Sequence, residues 1–224
     1  MKASIKIAAL ASMTVCALFS TMDRATAQAI VTVDSGQDWI GFMNVFALPA
    51  NGGGYQFGSS WGTADLQASF SAGNLLTLSP CTNVWETSDT YWVQADGITP
   101  NEDMDANMYV QNNALAGQTV TFEGATVANT LASPYTIVAF IKDYNASYSL
   151  VGESTSELVP GQEFNFSLAT QAGDNIQYGF EMYGPDADPL TASELGYVQV
   201  VPEPSSLALL GMGLAAPFFI RRRK

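Results

Sequence analysis

Between Ile30 and Val200 the apolar residues of this chain recur at every second position, and that period leaves little choice of secondary structure. Met104, Ala106, Met108 and Val110 alternate with Asp105, Asn107, Tyr109 and Gln111. Ile176, Tyr178, Phe180 and Met182 alternate in the same way with Gln177, Gly179, Glu181 and Tyr183, while Phe164, Phe166 and Leu168 give a third segment its apolar side. Successive side chains of a strand point to opposite faces, so each segment reads as a strand with one face toward a core and the other toward solvent. Clusters of Gly, Asn, Asp and Pro interrupt the alternation, and no long stretch carries the period of an amphipathic helix. The pattern predicts an all-β sandwich.

Further strands are expected at residues 30–34, 38–48, 75–78, 89–95, 117–129 and 195–201, with one or two more inside 55–70. The continuous apolar run IVAFI, within 134–143, suits a central strand covered on both faces, with Pro134 only at its start. Residues 30–200 are enough for one domain with a sizeable core and too few for two.

Composition then narrows the chemistry. The chain has no histidine, and Cys81 is the one cysteine of the 30–200 stretch, which excludes Ser-His-Asp and Cys-His catalysis, His-based metal centres and an intramolecular disulfide. Cys81 reads as a buried thiol, with an intermolecular bridge as the alternative. Lys142 is the only cation between Ile30 and Val200; against nineteen acidic residues it leaves a net charge of −18. Such a field repels nucleic acid, anionic membrane surfaces and acidic polysaccharide unless divalent cations bridge the two.

Two resources remain. Asp103-x-Asp105-x-Asn107 matches the first oxygen ligands of a calcium loop, but Met108 replaces the turn glycine and Ala114 stands where the bidentate Glu belongs. The segment is thus either a loop site for calcium, the one candidate cofactor, or a solvated acidic turn. Aromatic rings beside amides and carboxylates are the second resource, because sugar rings stack on Tyr and Trp faces while polar neighbours bond the hydroxyls, and Trp61, Trp85, Trp92, Tyr109, Tyr144, Tyr148 and Tyr183 are the candidates. Asp105, Asn107, Tyr109 and Gln111 share one strand face, and Gln177, Glu181 and Tyr183 share another. If the two faces belong to one sheet, Tyr109 and Tyr183 offer two stacking planes for a neutral or cation-bridged glycan. Paired carboxylates for glycoside hydrolysis cannot be singled out among so many acids, and no catalytic residue is assigned.

The ends of the chain carry addresses. Lys2 and Lys6, an apolar run at 7–18 and the small-x-small sites Ala25-Thr26-Ala27 and Ala27-Gln28-Ala29 lay out a cleaved secretory signal peptide over residues 1–29. At the other end Val201-Pro202-Glu203-Pro204-Ser205 forms a stiff linker, followed by an apolar stretch from Leu207 to Ile220 and then Arg221, Arg222, Arg223 and Lys224. Fourteen residues of helix span about 21 Å, a marginal membrane crossing, with the cations held on the cytoplasmic side. Residues 201–224 resemble the PEP-CTERM sorting signal. The resemblance implies recognition and cutting near Pro-Glu-Pro by an exosortase-type membrane transpeptidase in Gram-negative bacteria that make exopolysaccharide. It also implies transient anchoring in the inner membrane and delivery to the cell surface, outer membrane or extracellular matrix.

The body has a second resemblance. SWG at Trp61, AGQTVTFEG at 116–124, PGQEFNFSL at 160–168 and IQYGFEMYGP at 176–185 look like the strand order of jelly-roll carbohydrate-binding modules with a galactose-binding-like fold. The Asp pair that often serves a structural calcium site in such modules is replaced here by Gly196-Tyr197-Val198-Gln199-Val200. The resemblance implies a single antiparallel jelly-roll-like β-sandwich and a non-catalytic, exopolysaccharide-associated sugar binder. The alternatives are a structural matrix protein without a ligand site and a polysaccharide hydrolase or lyase.

Overall fold

A computed structural model describes residues 27–203, so residues 1–26 of the expected signal peptide and the apolar C-terminal stretch lie outside the described residues. The described residues form twelve strands: β1 (Gln28–Thr32), β2 (Ile40–Ala47), β3 (Tyr55–Trp61), β4 (Ala68–Ser71), β5 (Leu75–Leu78), β6 (Glu102–Gln111), β7 (Thr119–Asn129), β8 (Thr136–Tyr144), β9 (Leu150–Glu157), β10 (Glu163–Ala169), β11 (Asn175–Pro185) and β12 (Val198–Val201). They make two six-stranded sheets, a β-sandwich. Sheet B has the order β3-β2-β6-β11-β8-β9 and is antiparallel throughout.

Sheet A is built around β7, an 11-residue strand rich in Thr and Val. Strand β10 flanks β7 over Thr119–Ala125, while on its other side β1 pairs with Thr119–Glu123 and β12 with Ala125–Asn129. Strands β1 and β12 therefore lie end to end beside β7, and β5 and β4 continue the sheet beyond β12. The β1–β7 pair is parallel, a departure from the expected all-antiparallel sandwich. Its origin is the shortness of β12, which leaves half of β7 open for the first strand to fill.

The core follows from the alternation. Val120 and Phe122 of sheet A and Tyr178 and Phe180 of sheet B face one another in the interior. The Phe122 ring meets Phe164 at 5.3 Å, Tyr178 at 5.4 Å and Phe180 at 5.5 Å between centroids, inclined rather than stacked, which suits the quadrupoles of the rings. Strand β8 is central and covered, as IVAFI required: Ile137, Ala139 and Ile141 join the core, and Phe140, on the opposite face, is also buried.

Three local expectations are corrected. Residues 89–95 are not a strand; the Asp89 carbonyl accepts from the Trp92 and Val93 amides, its carboxylate accepts from the Tyr91 amide, and one isolated bridge joins Val93 to Pro100. Strand β9 had no expected counterpart. Asp103, Asp105 and Asn107 lie along the extended strand β6 and not in a loop or turn. Among the described residues no helix is long and apolar enough to cross a membrane.

Candidate functional site: a tyrosine-walled cup on sheet B

Strand pairing brings the two polar faces together as neighbours. Strands β6 and β11 are adjacent and antiparallel, with Gln111 opposite Gln177, Tyr109 opposite Gly179, Asn107 opposite Glu181 and Asp105 opposite Tyr183. All seven residues singled out from the sequence share the outer face of sheet B. The register adds their neighbours: Phe42 stands beside Asn107 and Asn44 beside Asp105 on β2, while Lys142 stands beside Gln177 and Phe140 beside Gly179 on β8.

A concavity of about 360 Å³ opens on this face, lined by Phe42, Asn44, Asn107, Tyr109, Lys142, Tyr144, Tyr148 and Gln177. Gly179 makes room for it, because it lies in one row between Phe140 and Tyr109 and contributes no side chain of its own.

The floor is one connected polar network. Asp105 accepts from the Asn44 amide at 2.9 Å and from the Asn107 amide at 2.9 Å, and the Asn107 carbonyl oxygen accepts from Lys142 Nζ at 3.3 Å. Lys142 is paired with Glu181, stands 3.8 Å from Glu153 and lies 4.3 Å over the Phe140 ring. At one rim Gln177 donates to Gln111 at 3.0 Å, and Gln111 donates to the Tyr148 hydroxyl at 3.1 Å. The rings of Tyr144 and Tyr148 have centroids 6.4 Å apart.

The charged groups of the floor are one cation, Lys142, against Asp105 and Glu181. Burial, reinforced by Glu181, pushes the Asp105 carboxyl up to about 6, against the hydrogen bonds from Asn44 and Asn107 and the charge of Lys142. Burial works against the Lys142 ammonium, but the charge and hydrogen bond of Glu181, with Tyr144 and Asp105 adding to them, together hold the lysine above its ordinary value. The only cation of the domain is thus already matched by carboxylates. Burial raises the Tyr109 and Tyr144 phenols, which stay neutral donors at physiological pH.

The seven expected residues do not all reach the cup. Asn107, Tyr109 and Gln177 line it; Asp105 and Glu181 hold its floor; Gln111 braces its rim. Tyr183 does not serve as the second stacking plane. It stands four residues from Gly179 along β11, about 13 Å, and its hydroxyl is bound to Asp103 at 2.9 Å while its ring packs on Phe46. Tyr144 and Tyr148 line the cup beside Tyr109 in its stead. Both were among the candidate aromatics, but neither was placed on this face: Tyr144 continues the alternation Phe140, Lys142, Tyr144 to the end of β8, and Tyr148 lies in the β8–β9 turn and carries no periodic signal. Phe42 and Asn44 were equally legible as alternating positions of β2.

Asp103, Asp105 and Asn107 spend their oxygens on Tyr183, on Asn44 and Asn107, and on Lys142. Among the described residues no group of three or more Cys, Asp or Glu is brought together in a way that could hold a metal ion.

No curated protein and no solved structure matches this chain. Residues 200–224 match the family model of the PEP-CTERM protein-sorting motif, and they begin inside β12. The chain is thus a secreted protein, exported and sorted to the cell surface by a C-terminal PEP-CTERM signal of the kind recognised by exosortase, a membrane enzyme.

Proposed function

We propose that the sandwich is a non-catalytic binder of neutral sugar residues in exopolysaccharide, seated in the cup on sheet B. The observation that carries this reading is the join of three tyrosines, Tyr109, Tyr144 and Tyr148, to the amides of Asn107 and Gln177 in one concavity of about 360 Å³. That volume suits one or two sugar rings. Phenol faces supply stacking surfaces, and amides supply both donors and acceptors for hydroxyls. The saturation of Lys142 by Glu181 and Glu153 argues for a neutral ligand, since no free cation is left for a uronate or phosphate. In this reading the apolar C-terminal stretch anchors the chain in the inner membrane until exosortase acts, and the finished protein resides in the extracellular matrix or on the outer surface.

Affinity electrophoresis through gels containing neutral or acidic exopolysaccharide tests this. The sandwich is expected to be retarded by the neutral polymer, and Tyr109→Ala and Tyr144→Ala are each expected to weaken retention by about 1 to 3 kcal/mol. Equal mobility of wild type and the double variant in every gel would move the protein to the structural-matrix reading.

A further inference from the structure

Both membrane-directed ends of the chain join sheet A, beside the same strand. Strand β1 takes in the last two residues of the expected signal-peptide segment 1–29, β12 leads into the sorting signal, and the two strands lie end to end along β7. Val201 pairs with Ala125, and two positions farther along β7 the slot is already taken by Thr32 opposite Glu123. Beyond the end of β12, Ser35 is bonded to Asn74 Oδ1 through both its amide and its hydroxyl, which closes that corner of the sheet. The chain cannot continue in the plane of the sheet, and Pro202 ends the strand in any case. Inward lies the core, with Val33, Phe122 and Val200 fully buried. Outward is the remaining direction. Since β7 and β10 stand on one side of β12 and β5 and β4 on the other, the exit lies within the face of sheet A and not at an edge.

Only five residues, Pro202 to Ser206, separate this exit from Leu207, where the apolar stretch begins. Fully extended they reach about 17 Å. The charge distribution favours the same orientation. On the strands of sheet A, Glu123 and Glu163 are the only outward acids, among residues such as Ile30, Thr121, Ser167 and Gln199. The outer face of sheet B carries Asp103, Asp105, Glu153, Glu157 and Glu181 against Lys142. A strongly acidic domain held close to anionic headgroups turns its least charged face toward them.

The geometry points to the outer face of sheet A as a membrane-apposed surface, which lies against lipid headgroups while the chain is anchored and holds the cup of sheet B away from the bilayer. This rests on the reading that residues 207–220 anchor the chain. The sandwich then presents its sugar site outward before exosortase acts, so that polymer can be engaged by the anchored form.

The test uses the tail-bearing chain with Cys81→Ala, reconstituted in vesicles of phosphatidylethanolamine and phosphatidylglycerol doped with headgroup nitroxide lipid. Single cysteines carry a fluorophore at exposed positions: Ser69→Cys or Ser167→Cys on sheet A, Ser60→Cys or Thr155→Cys on sheet B. Quenching at 69 and 167 is expected to exceed that at 60 and 155 by at least twofold. A chain that floats with the vesicles but shows equal or reversed quenching overturns the orientation and leaves the anchoring intact. A chain that does not float at all overturns the anchoring reading and the orientation with it.

Discussion

Gly179 of β11 lies directly opposite Tyr109 of β6, and a Cβ at position 179 would fall 2.1 Å from the Met108 carbonyl oxygen and 2.9 Å from the Tyr109 Cβ. The first contact is with backbone of the paired strand, which cannot swing aside. Gly179→Ala is therefore expected to strain the β6–β11 pair and lower stability by about 1 to 3 kcal/mol, measured by urea denaturation. It is also expected to displace Tyr109 and weaken sugar retention, and an alanine variant with unchanged stability and retention would show the close approach to be dispensable.

The lysine of the cup acts as a counter-charge. Lys142→Met leaves Glu181 and Asp105 facing each other without compensation, and a loss of about 1 to 3 kcal/mol is expected, discounted from a fully buried pair because Glu181 retains some access to solvent. Lys142→Met combined with Glu181→Met is expected to recover most of that loss. A double variant as unstable as the single one would mean that packing of the lysine stem on Phe140, and not charge, is what matters.

Asp186 gives stability a pH dependence. It is almost wholly buried, neither of its carboxyl oxygens meets a hydrogen-bond donor, and the adjacent Ala187 amide donates instead to the Cys81 carbonyl at 2.9 Å. Burial pushes its carboxyl up to about 7. A folded-state value above the unfolded one means that the folded state holds the proton longer, so this contribution is fully present below about pH 4 and is lost as pH rises through about 7. Asp105, pushed up to about 6, acts in the same direction. Thermal unfolding is expected to show Asp186→Asn gaining on wild type as pH rises from 5 to 8; a constant difference between the two would show that Asp186 is already ionised in the folded protein at pH 5.

The Cys81 thiol is buried, and burial above all pushes it up to about 12, with the charges of Asp186 and Asp65 adding to the effect. A thiol so held is neither nucleophilic nor able to reach a partner chain. Reaction with a disulfide reagent at pH 8 is expected only after addition of denaturant, and rapid labelling of the folded protein would contradict the packing around the 79–101 loop.

The sandwich and half of the cup were legible because a two-residue period is a local property. Met104 to Gln111 and Ile176 to Tyr183 announce both their faces without reference to the rest of the chain. Strand β9 escaped because its residues LVGESTSE turn Gly152, Ser154 and Ser156 inward, so no apolar period marks it. Residues 89–95 misled because Tyr91, Trp92 and Val93 have strand-like side chains, whereas the Asp89 carboxylate and carbonyl close a turn around them. The replacement of Tyr183 by Tyr144 and Tyr148 was beyond reach for a different reason. Which strand lies beside β11 is decided by the order β6-β11-β8, and no local pattern in the sequence encodes that order.

The seat proposed for a sugar among Tyr109, Tyr144 and Tyr148 can be mapped by amide chemical shifts. A neutral exopolysaccharide fragment is titrated into the isotopically labelled protein. Saturable shifts are expected to cluster at Asn107, Tyr109, Tyr144, Tyr148 and Gln177, with the outer face of sheet A unmoved. Saturable shifts centred elsewhere, or none up to millimolar fragment, would contradict it.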